Sequence, residues 1–219
     1  MKKLAVILAV LLCTLMAAGV TTASPLTDYS AGKVALDVNW TPRLDLEADG
    51  GTIDGKNGNF DYGLTAGLGG KWAIQYRYFN PVSKDYFVDY GSLTGNYHAG
   101  VRSQEVNILY KLDKNLSAFA GWHQAKLTTN APGFSLDNKS TWQVGLIGTT
   151  ALGKKTTLYG IVGAGSSLLN AEAGFAYALA KDLDVNLFYR YKRIDDLKVN
   201  DYELDTTTKG FGLGLTYRF

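Results

Sequence analysis

The sequence predicts an all-β fold, a closed antiparallel up-and-down transmembrane barrel of ten strands. Three observations predict it. Apolar residues alternate with small or polar ones at a period of two through most of residues 33–219. The connections between the alternating runs are short and long by turns. Beyond the N-terminus, no stretch stays apolar for the ~20 residues that a spanning helix needs.

The opening MKKLAVILAVLLCTLMAAGVTTAS sets Lys2 and Lys3 before an uncharged apolar run from Leu4 to Val20, with the small residues Thr21 and Ala23 at the positions a signal peptidase inspects. This is the pattern of a secretory signal peptide over residues 1–23, leaving 24–219 as one barrel domain. A membrane anchor is the rival reading, but no basic stop-transfer flank follows the run. Cys13 is the single cysteine; it lies inside the run behind the bulky Leu11 and Leu12, which makes a poor lipidation site. Disulfides, cysteine-ligated metals and cysteine nucleophiles are thereby excluded from the mature chain. Removing Lys2 and Lys3 from the 22 basic residues leaves 20 against 20 acidic ones. A neutral mature chain gives no argument for nucleic acid as a partner.

The first strand reads over 33–40, KVALDVNW, where Val34, Leu36, Val38 and Trp40 oppose Lys33, Ala35, Asp37 and Asn39. The second, at 60–68, sets Phe60, Tyr62, Leu64, Ala66 and Leu68 against Asp61, Gly63, Thr65 and Gly67. The third, at 72–79, sets Trp72, Ile74, Tyr76 and Tyr78 against Ala73, Gln75 and Arg77. Further strands read at 102–112, 115–124, 140–151, 155–165, 170–180, 183–193 and 208–219. Long connections fall at 41–59, 80–101, 125–139 and 194–208, and short ones at 69–71, 112–115, 152–154 and 180–182. The brief connection at 166–169 breaks this order, and without a clean hairpin over 157–180 the count is eight.

Alternation alone does not say which face is inside. A soluble barrel points its apolar face inward and a membrane barrel points it outward. The second face here is rich in Gly, Ala, Ser, Thr and Asn, as in Gly210, Gly212, Gly214 and Thr216, whereas a water-exposed wall would be dense in Lys and Glu. Aromatics agree with the membrane reading. Trp40, Phe60, Tyr62, Tyr76, Tyr78, Trp122, Trp142, Tyr189, Tyr191 and Phe211 fall beside the long loops; Trp72, Tyr110, Tyr177, Tyr217 and Phe219 fall near the tight turns or the terminus. Two girdles at two interfaces follow.

The last stretch, KGFGLGLTYRF, keeps Phe211, Leu213, Leu215, Tyr217 and Phe219 in one register to its final residue. It resembles the C-terminal assembly signal of bacterial outer-membrane β-barrel proteins. With the leader, the strand pattern and the loop asymmetry, the chain resembles the small single-domain barrels of the OmpA transmembrane and opacity type. The resemblance implies a bacterial outer-membrane location reached through the periplasm, with both termini on the periplasmic side. It also implies recognition of Phe219 and Tyr217 by the barrel-assembly machinery.

Inner-face parity places Asp37, Asp61, Glu105, Glu172 and Asp184 against Arg77, Lys111, Arg190, Lys192 and Arg218. Balanced charges in a narrow interior should pair, because an isolated one costs several kcal/mol. Arg77 with Glu105 is one expected pair. The inner glycines argue for some water, the ion pairs for constriction, so at most a narrow, weakly selective pore is expected.

Small barrels of this class include enzymes, so the two histidines, His98 and His123, matter. A protease-like site would pair a histidine with acids such as Asp195 and Asp196, and a lipid hydrolase would need a serine beside His123. No motif supports either. Asp45, Glu47, Asp49 and Gly50 occupy the early positions of a calcium loop, but its twelfth position is Lys56 in place of Glu, which reads as an acidic solvated loop. The long loops carry Tyr86, Phe87, Tyr90, Tyr97, Phe134 and Tyr202, which could take a surface ligand or simply pack over the barrel mouth. The expectation is therefore a monomeric structural or surface-interaction barrel in the lipid bilayer, without cofactor or metal. The alternative is a membrane-embedded hydrolase using His123 or His98.

Overall fold

The computed structural model describes residues 25–49, 51–56, 58–90 and 93–219; the leader expected at 1–23 lies outside the described residues. The chain forms β1 (Val34–Ala48), β2 (Gly51–Asp54), β3 (Asn59–Gly69), β4 (Trp72–Phe79), β5 (Tyr86–Tyr90), β6 (Leu93–Tyr97), β7 (Ala99–Asp113), β8 (Leu116–Thr129), β9 (Lys139–Ala151), β10 (Thr156–Gly165), β11 (Leu168–Ala180), β12 (Leu183–Val199) and β13 (Tyr202–Arg218). Among the described residues ten strands, all but β2, β5 and β6, build one antiparallel barrel. β13 closes it by pairing back on β1, with Leu36 opposite Tyr217 and Val38 opposite Leu215. Closure removes the open sheet edges that hydrocarbon would not tolerate. The eight-strand alternative falls because β10 and β11 form a clean hairpin that turns between Gly165 and Leu168.

The connection expected at 194–208 is not a loop. β12 continues to Val199 and β13 starts at Tyr202, so a two-residue turn at Asn200 and Asp201 joins them. Asn200 takes the left-handed conformation such a turn requires, with φ 52°. Likewise β1 runs on to Ala48 and folds back as β2, and β5 pairs with β6 inside the second long connection. These extensions lack a clean apolar period because neither face meets lipid, which is why periodicity missed them.

Two bulges reset the side-chain parity near this loop end. One lies between Trp40 and Arg43 at Pro42, which has no N–H to give to a ladder. It turns Leu44 and Leu46 inward. The second lies between Ile194 and Leu197, with Asp196 at φ 57°, and turns Leu197 inward.

The outer wall carries Leu36, Val38, Leu64, Ile108, Val144 and Leu213, all well exposed in the isolated chain. Aromatics contact one another at both ends of this band: Tyr62 stacks on Tyr78 at 4.9 Å and Tyr189 meets Phe211 edge-on at 4.9 Å at the loop end, while Trp72 and Tyr110 lie 4.7 Å apart at the turn end.

Candidate functional site

Among the described residues, the barrel interior concentrates charge away from water. Mid-barrel, Arg190 on β12 forks across the lumen to Asp61 on β3, Nη1 to Oδ2 at 2.8 Å, and its Nε donates to Glu172 on β11 at 2.7 Å. Arg77 donates to the same Glu172 oxygen from β4 at 3.0 Å, and the Tyr159 hydroxyl donates to the other at 3.3 Å. Asn39 donates to Asp61 at 2.7 Å. A second cluster has Lys192 on Glu105 at 2.5 Å and on the Ser103 hydroxyl at 3.0 Å, with Gln143 donating to Glu105 at 3.2 Å. The rings of Phe79 and Phe188 lie 5.2 and 4.8 Å from the Arg190 guanidinium, so the cation is flanked by aromatic faces as well as carboxylates.

The pairing differs from the one expected. Arg77 and Glu105 are opposite in the ladder, yet Arg77 reaches Glu172 and Glu105 takes Lys192. Cross-barrel contacts of this kind depend on curvature, which linear parity does not contain. Toward the turn end Arg218 pairs with Asp184, Thr216 donates to Asp37 at 2.6 Å, and Lys111 donates to the Thr27 carbonyl at 2.6 Å.

Apolar layers close the interior on both sides of this network. At the turn end Leu26 and Tyr29, from the segment before β1, pack with Leu109, Phe119, Ile147, Ile161 and Phe188, and the Tyr29 hydroxyl donates to Ser117 at 3.0 Å. At the loop end Leu44, Leu46, Phe79, Val101, Leu168, Ile194 and Leu197 form a second cap. The inner glycines make room for rings rather than for water: a Cβ at Gly145 would collide with Phe119, and one at Gly212 with Phe188. Between the caps, Asp61, Arg77, Phe79, Glu105, Arg190 and Lys192 line a cavity of about 10 Å³, room for no more than about one water.

His123 is fully buried, and its Nε2 lies 2.9 Å from the Ser103 hydroxyl. A serine therefore does lie beside it, but Ser103 is buried too and His123 Nδ1 has no hydrogen-bond partner among the described residues. His98 pairs with Asp85 at 3.0 Å on the loop side, away from Asp195 and Asp196. Those two acids are held by Arg193 at 2.6 Å and Lys139 at 3.4 Å. Asp45 and Glu47 lie in β1, and Glu47 binds Lys209 at 2.5 Å, so this segment is a β hairpin in place of a calcium loop. Outside the other end, hydrogen bonds from Ser30 hold Asp28 below the usual carboxylate range.

Phe211, Leu213, Leu215, Tyr217 and Phe219 all point outward along the last strand. The Tyr217 and Phe219 rings meet edge-on at 4.8 Å, and the Phe219 N–H bonds the Val34 carbonyl at 2.9 Å. Of the loop aromatics whose side chains are described, Tyr86, Phe87, Phe134 and Tyr202 are exposed. Tyr29, Phe119, Tyr159 and Phe188 fill the interior without any signal in the alternation except inward parity of the last three.

An apolar band between aromatic rows, wrapped around a charged but closed interior, defines an integral membrane barrel. The chain belongs to the outer membrane protein beta-barrel domain family, whose model matches residues 8–219, and it is a protein of the bacterial outer membrane. Among solved structures it is similar to the outer membrane protease OmpT of Escherichia coli, at 14% identity over 91% of this chain and 99% of that one, TM-score 0.55. It is also similar to Ail, the attachment invasion locus protein of Yersinia pestis, at 13% identity over 86% and 99%, TM-score 0.39. A third is OprG of Pseudomonas aeruginosa, at 16% identity over 89% and 99%, TM-score 0.37. These similarities concern the fold. No curated protein is matched by the sequence.

Proposed function

We propose that the protein is a non-conducting outer-membrane scaffold whose barrel holds a rigid rim of β hairpins on the cell surface for contact with a ligand. The observation that carries this is the closed interior: ion pairs bridge the lumen between two apolar caps. Conduction would need both caps and the Arg190 bridge to move together. The rim is built to stay in place, since β12 and β13 keep pairing to Val199 and Tyr202, and Phe87, Phe134 and Tyr202 stand exposed on that side. The chain would act as a monomer after export, loss of residues 1–23 and insertion by the assembly machinery.

The hydrolase reading has one observation in its favour, the Ser103–His123 contact at 2.9 Å. Against it, both groups are buried and a substrate would have to pass the loop-end cap to reach them. Liposome swelling tests the closed reading: vesicles carrying the protein should not swell in a small sugar, and swelling at porin-like rates would refute it.

A further inference from the structure

The outer wall of β4, β7, β8 and β9 is graded along the barrel axis. Ladder neighbours Tyr76, Val106, Trp122 and Trp142 form one outward row, and the next row toward the loops is Tyr78, Gln104, Gln124 and Ser140. Within these rows Tyr76 donates to Gln104 at 3.3 Å and Gln124 to Ser140 at 3.4 Å. Above them Arg102 and Lys126 stand directly opposite each other. Below the aromatic row the wall is Ile74, Ile108, Ala120 and Val144. From the mid-band toward the loops the wall therefore runs apolar, aromatic, amide, cationic.

Two like charges opposite one another in a ladder repel. Neither Arg102 nor Lys126 has a hydrogen-bond or ion-pair partner among the described residues, and the outward positions around them, Gly100, Gln104, Gln124, Thr128 and Ser140, carry no carboxylate. The opposite wall is neutralised: Lys209 is bound by Glu47, Arg193 by Asp195 and Asp205, and Arg43 shares its face with Asp45. The repulsion between Arg102 and Lys126 is offset once an anion sits between them, and the apolar wall beneath fits the chains of the molecule that carries it.

We propose that Arg102 and Lys126 form a binding site for the phosphate headgroup of an anionic membrane lipid, with its acyl chains laid along Trp122, Trp142, Ile108 and Val144. Arg102 supplies a planar fork that suits phosphate oxygens, and Lys126 a flexible ammonium that reaches to headgroup height.

The test uses the full barrel with Trp40 and Trp72 replaced by Phe, so that fluorescence arises from Trp122 and Trp142. It is reconstituted in phosphatidylcholine vesicles containing either brominated phosphatidic acid or brominated phosphatidylcholine. The phosphatidic acid should quench preferentially, and R102Q or K126Q should each lower that preference about fivefold, the double variant removing it. R43Q should leave it unchanged, and heat-modifiable gel mobility confirms that each variant is folded. Equal quenching by the two lipids, or a preference that survives in the double variant, would overturn the proposal. Displacement by millimolar inorganic phosphate would assign the site to a free anion and overturn the lipid.

Discussion

Arg190 and Asp61 lie 129 positions apart in the chain and meet inside the barrel, Nη1 to Oδ2 at 2.8 Å, with both side chains less than a tenth exposed. β12 and β3 are not ladder neighbours, with β13 and β1 between them, so the contact ties together strands that no backbone ladder joins. Arg190→Ala leaves Asp61 and Glu172 buried without their shared cation, which should destabilise the barrel by about 3–5 kcal/mol. Arg190→Lys should recover only part, since an ammonium cannot reproduce the fork to both acids. A urea refolding titration in detergent or vesicles reads both.

The turn-end cap depends on a residue outside the strands. Tyr29→Phe should cost about 1 kcal/mol by removing the hydroxyl bond to Ser117, and Tyr29→Ala about 3 kcal/mol or more by opening a cavity among Leu109, Phe119 and Ile147. The same titration, with hydrogen exchange at Gly69, whose N–H bonds the Tyr29 carbonyl at 2.9 Å, would separate loss of the bond from loss of the whole segment.

Leu64→Arg places a cation in the apolar band and should cost about 2–4 kcal/mol, while Leu64→Phe should be near neutral because lipid accepts any apolar shape. On the next residue the order of tolerance reverses. Thr65 is buried and accepts from Gln75 at 3.2 Å, so Thr65→Ser should be tolerated and Thr65→Phe should not. Refolding yields of the four variants check the assignment of the two faces.

Deleting Phe219 removes both the edge-on contact with Tyr217 and the N–H bond to Val34 that finishes the seam between β13 and β1. The amount of folded protein in the outer membrane should fall and unassembled chain should accumulate in the periplasm, as cell fractionation with unboiled gels would show.

The ten-strand barrel was legible because lipid on one side imposes a strict period of two, and β3, β4 and the parts of β1 and β13 that face lipid display it without a break. Where water bathes both faces that constraint lapses, so the hairpin of Val199 and Tyr202 read as a loop. The Pro42 and Asp196 bulges were equally silent, since parity counting assumes no slip, and they decide that Leu44, Leu46 and Leu197 cap the interior. Inner glycines such as Gly145 and Gly212 suggested water because a missing side chain looks like space; only the folded curvature shows Phe119 and Phe188 occupying it. The charged residues of the interior could be listed from parity, but Arg77 with Glu172 joins strands that are not neighbours, and no ladder rule reaches that far.

The closed interior is tested most directly by recording the purified protein in a planar bilayer under an applied voltage. With Arg190, Asp61 and Glu172 bridging the lumen between two apolar caps, the trace should stay at the baseline of the bare membrane. Steady, reproducible current steps from the unaltered barrel would contradict it.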